Sequence, residues 1–157
     1  MKKIFSVIIV AFTIVVSGCG EDKPPQQSDN ISHEIDLSAA KDGTYKVDSS
    51  LDDKLGHSTL TLTVENHKIT QAEFIGVDLF GDVKNENYGS LISGKDSADY
   101  KKAQVAVKAN SEYAKQLTET QSLEKVDAIS GATISYNQFV EAVNKAVDEA
   151  KKSTTPT

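Results

Sequence analysis

The sequence predicts an α+β fold, an antiparallel sheet with helices packed against it, and three observations carry that expectation. The stretch Ser58-Thr59-Leu60-Thr61-Leu62-Thr63-Val64 alternates hydroxyl with aliphatic residues, the period of a strand with one dry face. After the turn Glu65-Asn66-His67-Lys68, a second apolar-rich stretch from Ile69 to Val77 supplies the partner strand of a hairpin. The second half of the chain changes to helical spacing and ends on Tyr136, Phe139, Val140, Val143, Val147 and Ala150, one continuous amphipathic stripe. Strands first and helices later, with no internal repeat, is the order of an α+β domain rather than of alternating βαβ units.

At 157 residues there is room for one domain, and the first forty read as an address label. Lys2 and Lys3 precede an apolar run from Ile4 to Val16, broken only by Ser6 and Thr13, that ends in Val16-Ser17-Gly18-Cys19. The charged start marks a secretory signal, and the run is too short to span a bilayer comfortably. Its ending resembles the bacterial lipobox, which implies that residues 1–18 are a lipoprotein signal peptide and that Cys19 becomes the lipid-bearing N-terminus. The polar, turn-rich stretch Gly20 to Asn30 buries nothing, so 19–41 is expected to be a disordered tether. Such a coil of roughly 22 residues spans about 25 Å on average and about 70 Å stretched.

The single cysteine excludes a disulfide framework and a thiolate metal site in the mature domain. All 17 basic residues are lysines, and losing Lys2 and Lys3 with the signal takes the net charge from −6 to −8. An acidic surface without arginine forks repels nucleic acid and anionic headgroups, so no nucleic-acid partner is expected and the lipid is left to hold the protein at the bilayer.

Order is expected from Asp42 onward. Asp42-Gly43-Thr44-Tyr45-Lys46-Val47 is a turn leading into a β-prone triplet, and the apolar register of the second hairpin strand shifts near Gln71, which predicts a bulge. Asp78 to Ser93 reads as an irregular excursion with the apolar islands Leu79, Phe80, Val83, Tyr88, Leu91 and Ile92. Asp96 or Ser97 caps a helix carrying Tyr100, Ala103 and Val107, and a further helix from about Ser111 to Gln121 places Tyr113, Ala114 and Leu117 on one face. Ser122 to Val126 returns the chain to the sheet, and the last helix is expected to start at Ser135, where Ser135-Tyr136-Asn137-Gln138 has the form of a capping box. Residues 153–157 are expected to be a disordered tail.

Several chemistries are weak here. Gly89-Ser90-Leu91-Ile92-Ser93-Gly94-Lys95-Asp96 misses a P-loop at its last position, where Asp96 has no hydroxyl for Mg²⁺. His33, His57 and His67 fall in the tether, a loop and the hairpin turn without convergent spacing, so no metal site is expected. No serine has an evident histidine and carboxylate around it, and no catalytic set is assigned.

The stretch Asp127-Ala128-Ile129-Ser130-Gly131-Ala132-Thr133 precedes the final helix. Ser130, Gly131 and Ala132 leave room for a bulky group to approach the backbone, Gly131 can bend to positive φ, and Thr133 offers a hydroxyl beside a helix N-terminus, where a phosphate is favourably held. The order Asp127-x-x-Ser130-Gly131-Ala132-Thr133 resembles the D-x-x-[ST]-G-A-T signature of the FMN-binding domain family, which includes subunits of sodium-pumping quinone reductases and small secreted flavoproteins. The resemblance extends over roughly residues 42–152, with a Thr/Val-rich strand, an Asn-containing turn and a helical half; the turn departs from it in having His67 where glycine is frequent.

That resemblance implies an FMN-binding-domain-like fold over 42–152, and covalent FMN on Thr133, joined by a dedicated FAD-dependent FMN transferase. Asp127, Ser130, Gly131 and Ala132 would be its recognition frame. Tyr136, just inside the helix, and Tyr88, in the excursion, are candidate neighbours of the flavin ring, whereas Phe74 and Phe139 fit the core. The implied function is that of a membrane-anchored, extracytoplasmic electron carrier, not an enzyme with its own substrate pocket. Electrons would come from a membrane NADH- or quinone-linked dehydrogenase and leave to extracellular acceptors. Two other readings stand beside it: a non-redox lipoprotein that binds a ligand or partner, and a leader peptide that is itself the source of a signalling peptide.

Overall fold

The computed structural model describes residues 35–90 and 94–153. Three strands, β1 (Gly43–Asp48), β2 (His57–Glu65) and β3 (Lys68–Val77), form one antiparallel sheet in the order β1-β2-β3. Two helices follow, α1 (Ala98–Thr120) and α2 (Thr133–Lys152), joined through a short 3-10 turn at Leu123–Lys125. The predicted α+β class is what the chain adopts.

The alternation in β2 decides which face is dry. Leu60, Leu62 and Val64 are fully buried under the helices, joined by Ile69 and Phe74 of β3 and Val47 of β1. Thr59, Thr61 and Thr63 take the opposite face, where Thr63 meets Thr44 (3.1 Å between hydroxyls) and Thr59 Oγ1 donates to Asp48 Oδ1 (2.6 Å). The hairpin turns on Asn66 (φ 51°) and His67 (φ 60°), two left-handed residues in succession, as a tight two-residue connection requires. The bulge falls beside the expected place: Thr63 pairs with Gln71 and Val64 with Ile69, leaving Thr70 as the extra residue.

The chain is packed earlier than its composition implies. The tether was expected to run to residue 41, but Leu37 and Ala40 are buried in the core, Lys41 N donates to Ala150 O (3.0 Å), and Lys151 Nζ lies 3.5 Å from Asp36 Oδ2. His67 Nδ1 donates to Leu37 O (3.0 Å), so this hairpin histidine pins the segment instead of merely being solvated. Two apolar residues three apart suffice to cover the end of α2, a signal too short to register against the polar residues around it. The rest of the signal and tether, Cys19 included, lies outside the described residues, as do 91–93 and 154–157.

The two helices expected between Asp96 and Gln121 are one. Ser97 caps it, accepting from Tyr100 N (3.1 Å), and the helix runs unbroken through Asn110-Ser111. Asn110 is buried, and the orientation of its amide that satisfies both partners turns its oxygen to Gly76 N–H (3.1 Å) and its nitrogen to Ala106 O (3.2 Å). A residue type that locally favours a cap is held in mid-helix because the sheet gives its oxygen a partner and its own helix takes its N–H. Gln121 ends α1 in the left-handed region, and its amide pairs with both backbone groups of Ile69 (2.9 and 2.8 Å). The segment Ser122–Val126 therefore adds no strand; it makes the 3-10 turn and buries Leu123 and Val126.

The β1–β2 connection is a small closed loop. Asp52 and Gly56 exchange backbone bonds (2.8 and 2.9 Å), and Asp52 Oδ1 accepts from Lys54 N and Leu55 N, which holds that carboxyl below its usual range. Gly56 has φ 83°, and a Cβ there would stand 2.3 Å from Val77 O and 2.7 Å from the carbonyl carbon of Asp78. Gly56→Ala is therefore expected to destabilise the domain by at least about 2 kcal/mol, from left-handed strain alone plus the displaced backbone. A denaturant midpoint within error of wild type would contradict that packing.

Helix α2 is bound to the same loop by polar contacts. Gln138, buried, accepts from Ser58 Oγ (2.8 Å) and donates to Gly56 O (3.1 Å); Glu141 Oε1 accepts from Ser50 N (3.0 Å) and Ser50 Oγ (2.6 Å) and pairs with Lys145 Nζ at 2.7 Å. Burial pushes the Glu141 carboxyl up, but Lys145 and the two Ser50 donors outweigh it and hold it below its ordinary value of 4.5. A carboxyl depressed by folding adds stability that is present above its unfolded value and lost as pH falls through the folded one. The melting temperature should thus fall with acidification below about pH 4.5, and less steeply in Glu141→Gln; parallel curves would remove Glu141 from the account.

Candidate functional site

The loop from Asp127 to Ala132 crosses α1 on its way to α2 and owes its shape to that helix. Asp127 N donates to Gln116 Oε1 (2.9 Å), Ile129 N donates to the Tyr113 hydroxyl (3.1 Å), and that hydroxyl donates to Ala132 O (3.4 Å). Within the loop Ala132 N donates to Ile129 O (3.0 Å), closing a turn in which Gly131 stands at φ 86°. A Cβ at Gly131 would meet only Val105 Cγ1, at 3.6 Å, so strain rather than crowding reserves the position for glycine. The space over the backbone is open.

Helix α2 starts two residues before the expected capping box. Thr133 is its first residue and Ala132 stands at the cap, with no side chain capping the first turn and no acidic residue in it. Gln138, the residue that a capping box would turn back to the N-terminus, is engaged by Ser58 and Gly56 instead. The helix therefore presents its positive end and free N–H groups without an internal acceptor. Thr133 is exposed there, flanked by the exposed apolar side chain of Ile134 and, across Gly131, by Val105.

Six of the seven predicted site residues gather in this place. Asp127, Ser130, Gly131 and Thr133 are exposed, whereas Ala132 is buried beneath them. Tyr136 is half-buried one turn into α2, its ring edge-on to Tyr113 with centroids 5.5 Å apart. Tyr88 lies in the excursion against α1: Gln104 Nε2 donates to its carbonyl (3.1 Å), and Lys84 Nζ lies 5.3 Å from its ring centroid. Burial, helped by Asp78, pushes the Tyr88 phenol up; burial pushes Lys84 down against the pull of Asp78 and Asp52.

Sequence reasoning assigned Tyr113 only to a helix face. It is fully buried, packed between the rings of Tyr136 and Phe139, and burial pushes its phenol up, which keeps it a hydroxyl donor. The available signal was its type: a tyrosine on a core stripe needs a partner for its hydroxyl. Gln116, Val105 and Ile134 carried no comparable signal.

The site can hold an anion at the open end of α2, next to the Thr133 hydroxyl and beside an apolar lip. The model of a known family, described as the FMN-binding domain, matches residues 54–148, a span that holds β2, β3, α1, the loop and most of α2. The crystal structure of the CPE2226 protein from Clostridium perfringens is similar, with a TM-score of 0.51 and 27% sequence identity over 74% of this chain and 93% of that one. No curated protein matches the chain.

Proposed function

On the premise that this chain belongs to the FMN-binding domain family, we propose that it is a membrane-anchored, extracytoplasmic flavoprotein that relays electrons, with FMN held as a phosphoester on Thr133. The observation that carries this reading is the exposed Thr133 hydroxyl at the first position of a 20-residue helix whose N-terminal turn has no side-chain cap. The residues present fit the group. Three consecutive unpaired N–H groups suit a dianionic phosphate, the positive φ of Gly131 opens the backbone to a large ligand, and Val105 and Ile134 offer an apolar lip for a ring system.

In the loading step Thr133 Oγ attacks the flavin-side phosphorus of FAD on the transferase. The Thr133 O–P bond forms as the pyrophosphate P–O bond breaks, AMP leaves with the electron pair, and the hydroxyl proton is taken up by a base of the transferase. When bound, the flavin supplies the redox chemistry, and the protein supplies placement. Covalent attachment suits an extracytoplasmic carrier, because a lost flavin is not replaced there.

The anchoring part of the proposal rests on the lipobox-like Val16-Ser17-Gly18-Cys19. Among the described residues no helix is long and apolar enough to cross a membrane. Electron donors of the membrane NADH- or quinone-linked kind, and acceptors outside the cell, follow from the same reading.

The test is intact mass and in-gel flavin fluorescence on protein made with and without an active FAD-dependent FMN transferase. A covalent gain of one FMN less one water, only with the transferase, is the expected result. An unmodified mass beside an active transferase would overturn it and leave a ligand- or partner-binding lipoprotein.

A further inference from the structure

Resting on the reading that Thr133 carries the flavin, we infer that Tyr113 and Gln116 are positioning residues for its attachment, a two-point brace that presents the recognition loop to the transferase in one conformation. The loop from Asp127 to Ala132 is mostly exposed, and its hydrogen bonds from side chains elsewhere in the protein come from these two, one turn apart on α1. Gln116 takes the N–H of Asp127, where the frame begins. Tyr113 works at both ends of the turn that follows: its oxygen accepts from Ile129 N and its proton goes to Ala132 O.

The Ala132 carbonyl is also the acceptor for Tyr136 N (2.9 Å), the first bond of α2. The phenol thus ties the loop to the carbonyl that sets where the helix starts, one residue before Thr133. Its own freedom is removed by full burial and by the rings of Tyr136 and Phe139 at 5.5 and 5.6 Å. A rigid 23-residue helix is therefore the ruler against which the loop is laid.

A flexible acceptor loop is competent for only a fraction of the time, and its apparent affinity falls by that fraction. Removing the brace should therefore act mainly on the acceptor's KM in flavin transfer and much less on kcat. A purely structural role would instead lower the melting temperature and leave both constants unchanged in protein that is still folded.

The experiment is steady-state flavin transfer from FAD by the transferase to purified wild-type protein, Tyr113→Phe, Gln116→Leu, their double variant, and Tyr45→Phe as control. Tyr45 also uses its hydroxyl on a carbonyl, Lys41 O at 2.8 Å, but far along the chain from the loop. Amide hydrogen exchange at Asp127 and Ile129 is followed on the same samples. Expected are a rise in KM of about tenfold for Tyr113→Phe, a further rise in the double variant, faster exchange at the two amides, and a control that matches wild type. Gln116 is on the half-exposed side of α1, so Gln116→Leu keeps the test open should Tyr113→Phe fold poorly. If wild type loads and the variants load with the same KM, the brace is overturned while the flavin reading stands. If wild type itself takes no flavin from an active transferase, both are overturned.

Discussion

Thr133→Ala is expected to abolish covalent flavin completely while leaving the fold intact. The substitution removes the hydroxyl at the first position of α2, and with it the oxygen proposed to form the phosphoester. Its structural cost is small. Thr133 is exposed, its side chain makes no hydrogen bond in the structure, and alanine is favoured over threonine in a helix. Stability should therefore change by no more than about 0.5 kcal/mol. Thr133→Ser, which keeps the hydroxyl, should still be loaded by a transferase tolerant of the lost methyl. Intact mass and gel fluorescence decide the matter. A Thr133→Ala protein that still gains one FMN less one water would move the attachment to Ser130 or Ser135, the neighbouring hydroxyls.

Phe139→Ala should be the most damaging single truncation in the core. Phe139 is fully buried, edge-on to Phe74 of β3 at 5.0 Å and 5.6 Å from Tyr113 of α1, so it joins sheet and both helices at one point. Truncating such a side chain costs about 3–5 kcal/mol, because the lost burial and the cavity add. For a domain of this size that corresponds to a melting temperature lower by roughly 10–25 °C. Flavin transfer should fall as well, since the Tyr113 ring loses one of its two aromatic walls. A drop of under about 5 °C would mean that the surrounding core collapses into the space.

The sheet was legible because its signals are local. Thr59, Thr61 and Thr63 alternating with Leu60, Leu62 and Val64 settle the faces of β2, and Asn66-His67 settles the turn. The family was legible through the residue order Asp127-x-x-Ser130-Gly131-Ala132-Thr133, which carries information that spacing alone does not. What was misread depends on distant partners. Asn110-Ser111 looks like the break between two helices until Gly76 is placed beside Asn110, and Gln138 looks like a capping-box residue until Ser58 and Gly56 claim its amide. Leu37 and Ala40 look like tether until the end of α2 needs covering. Tyr88, the candidate neighbour of the flavin ring, sits in an excursion that is bonded to Tyr100 and Gln104 of α1.

Helix α2 also gives the molecule two poles. Its 20 residues are about 30 Å long, with Thr133 at one tip and, at the other, Ala150 and Lys151 fastened to Lys41 and Asp36. Whatever pulls on the chain ahead of residue 35 is borne by that far tip and by His67 of the hairpin, through bonds that share no atom with the loop around Gly131. A bead, an electrode or a fused domain joined on that side would hold the protein like a lamp on a bracket, its Thr133 pole turned outward and mechanically unloaded.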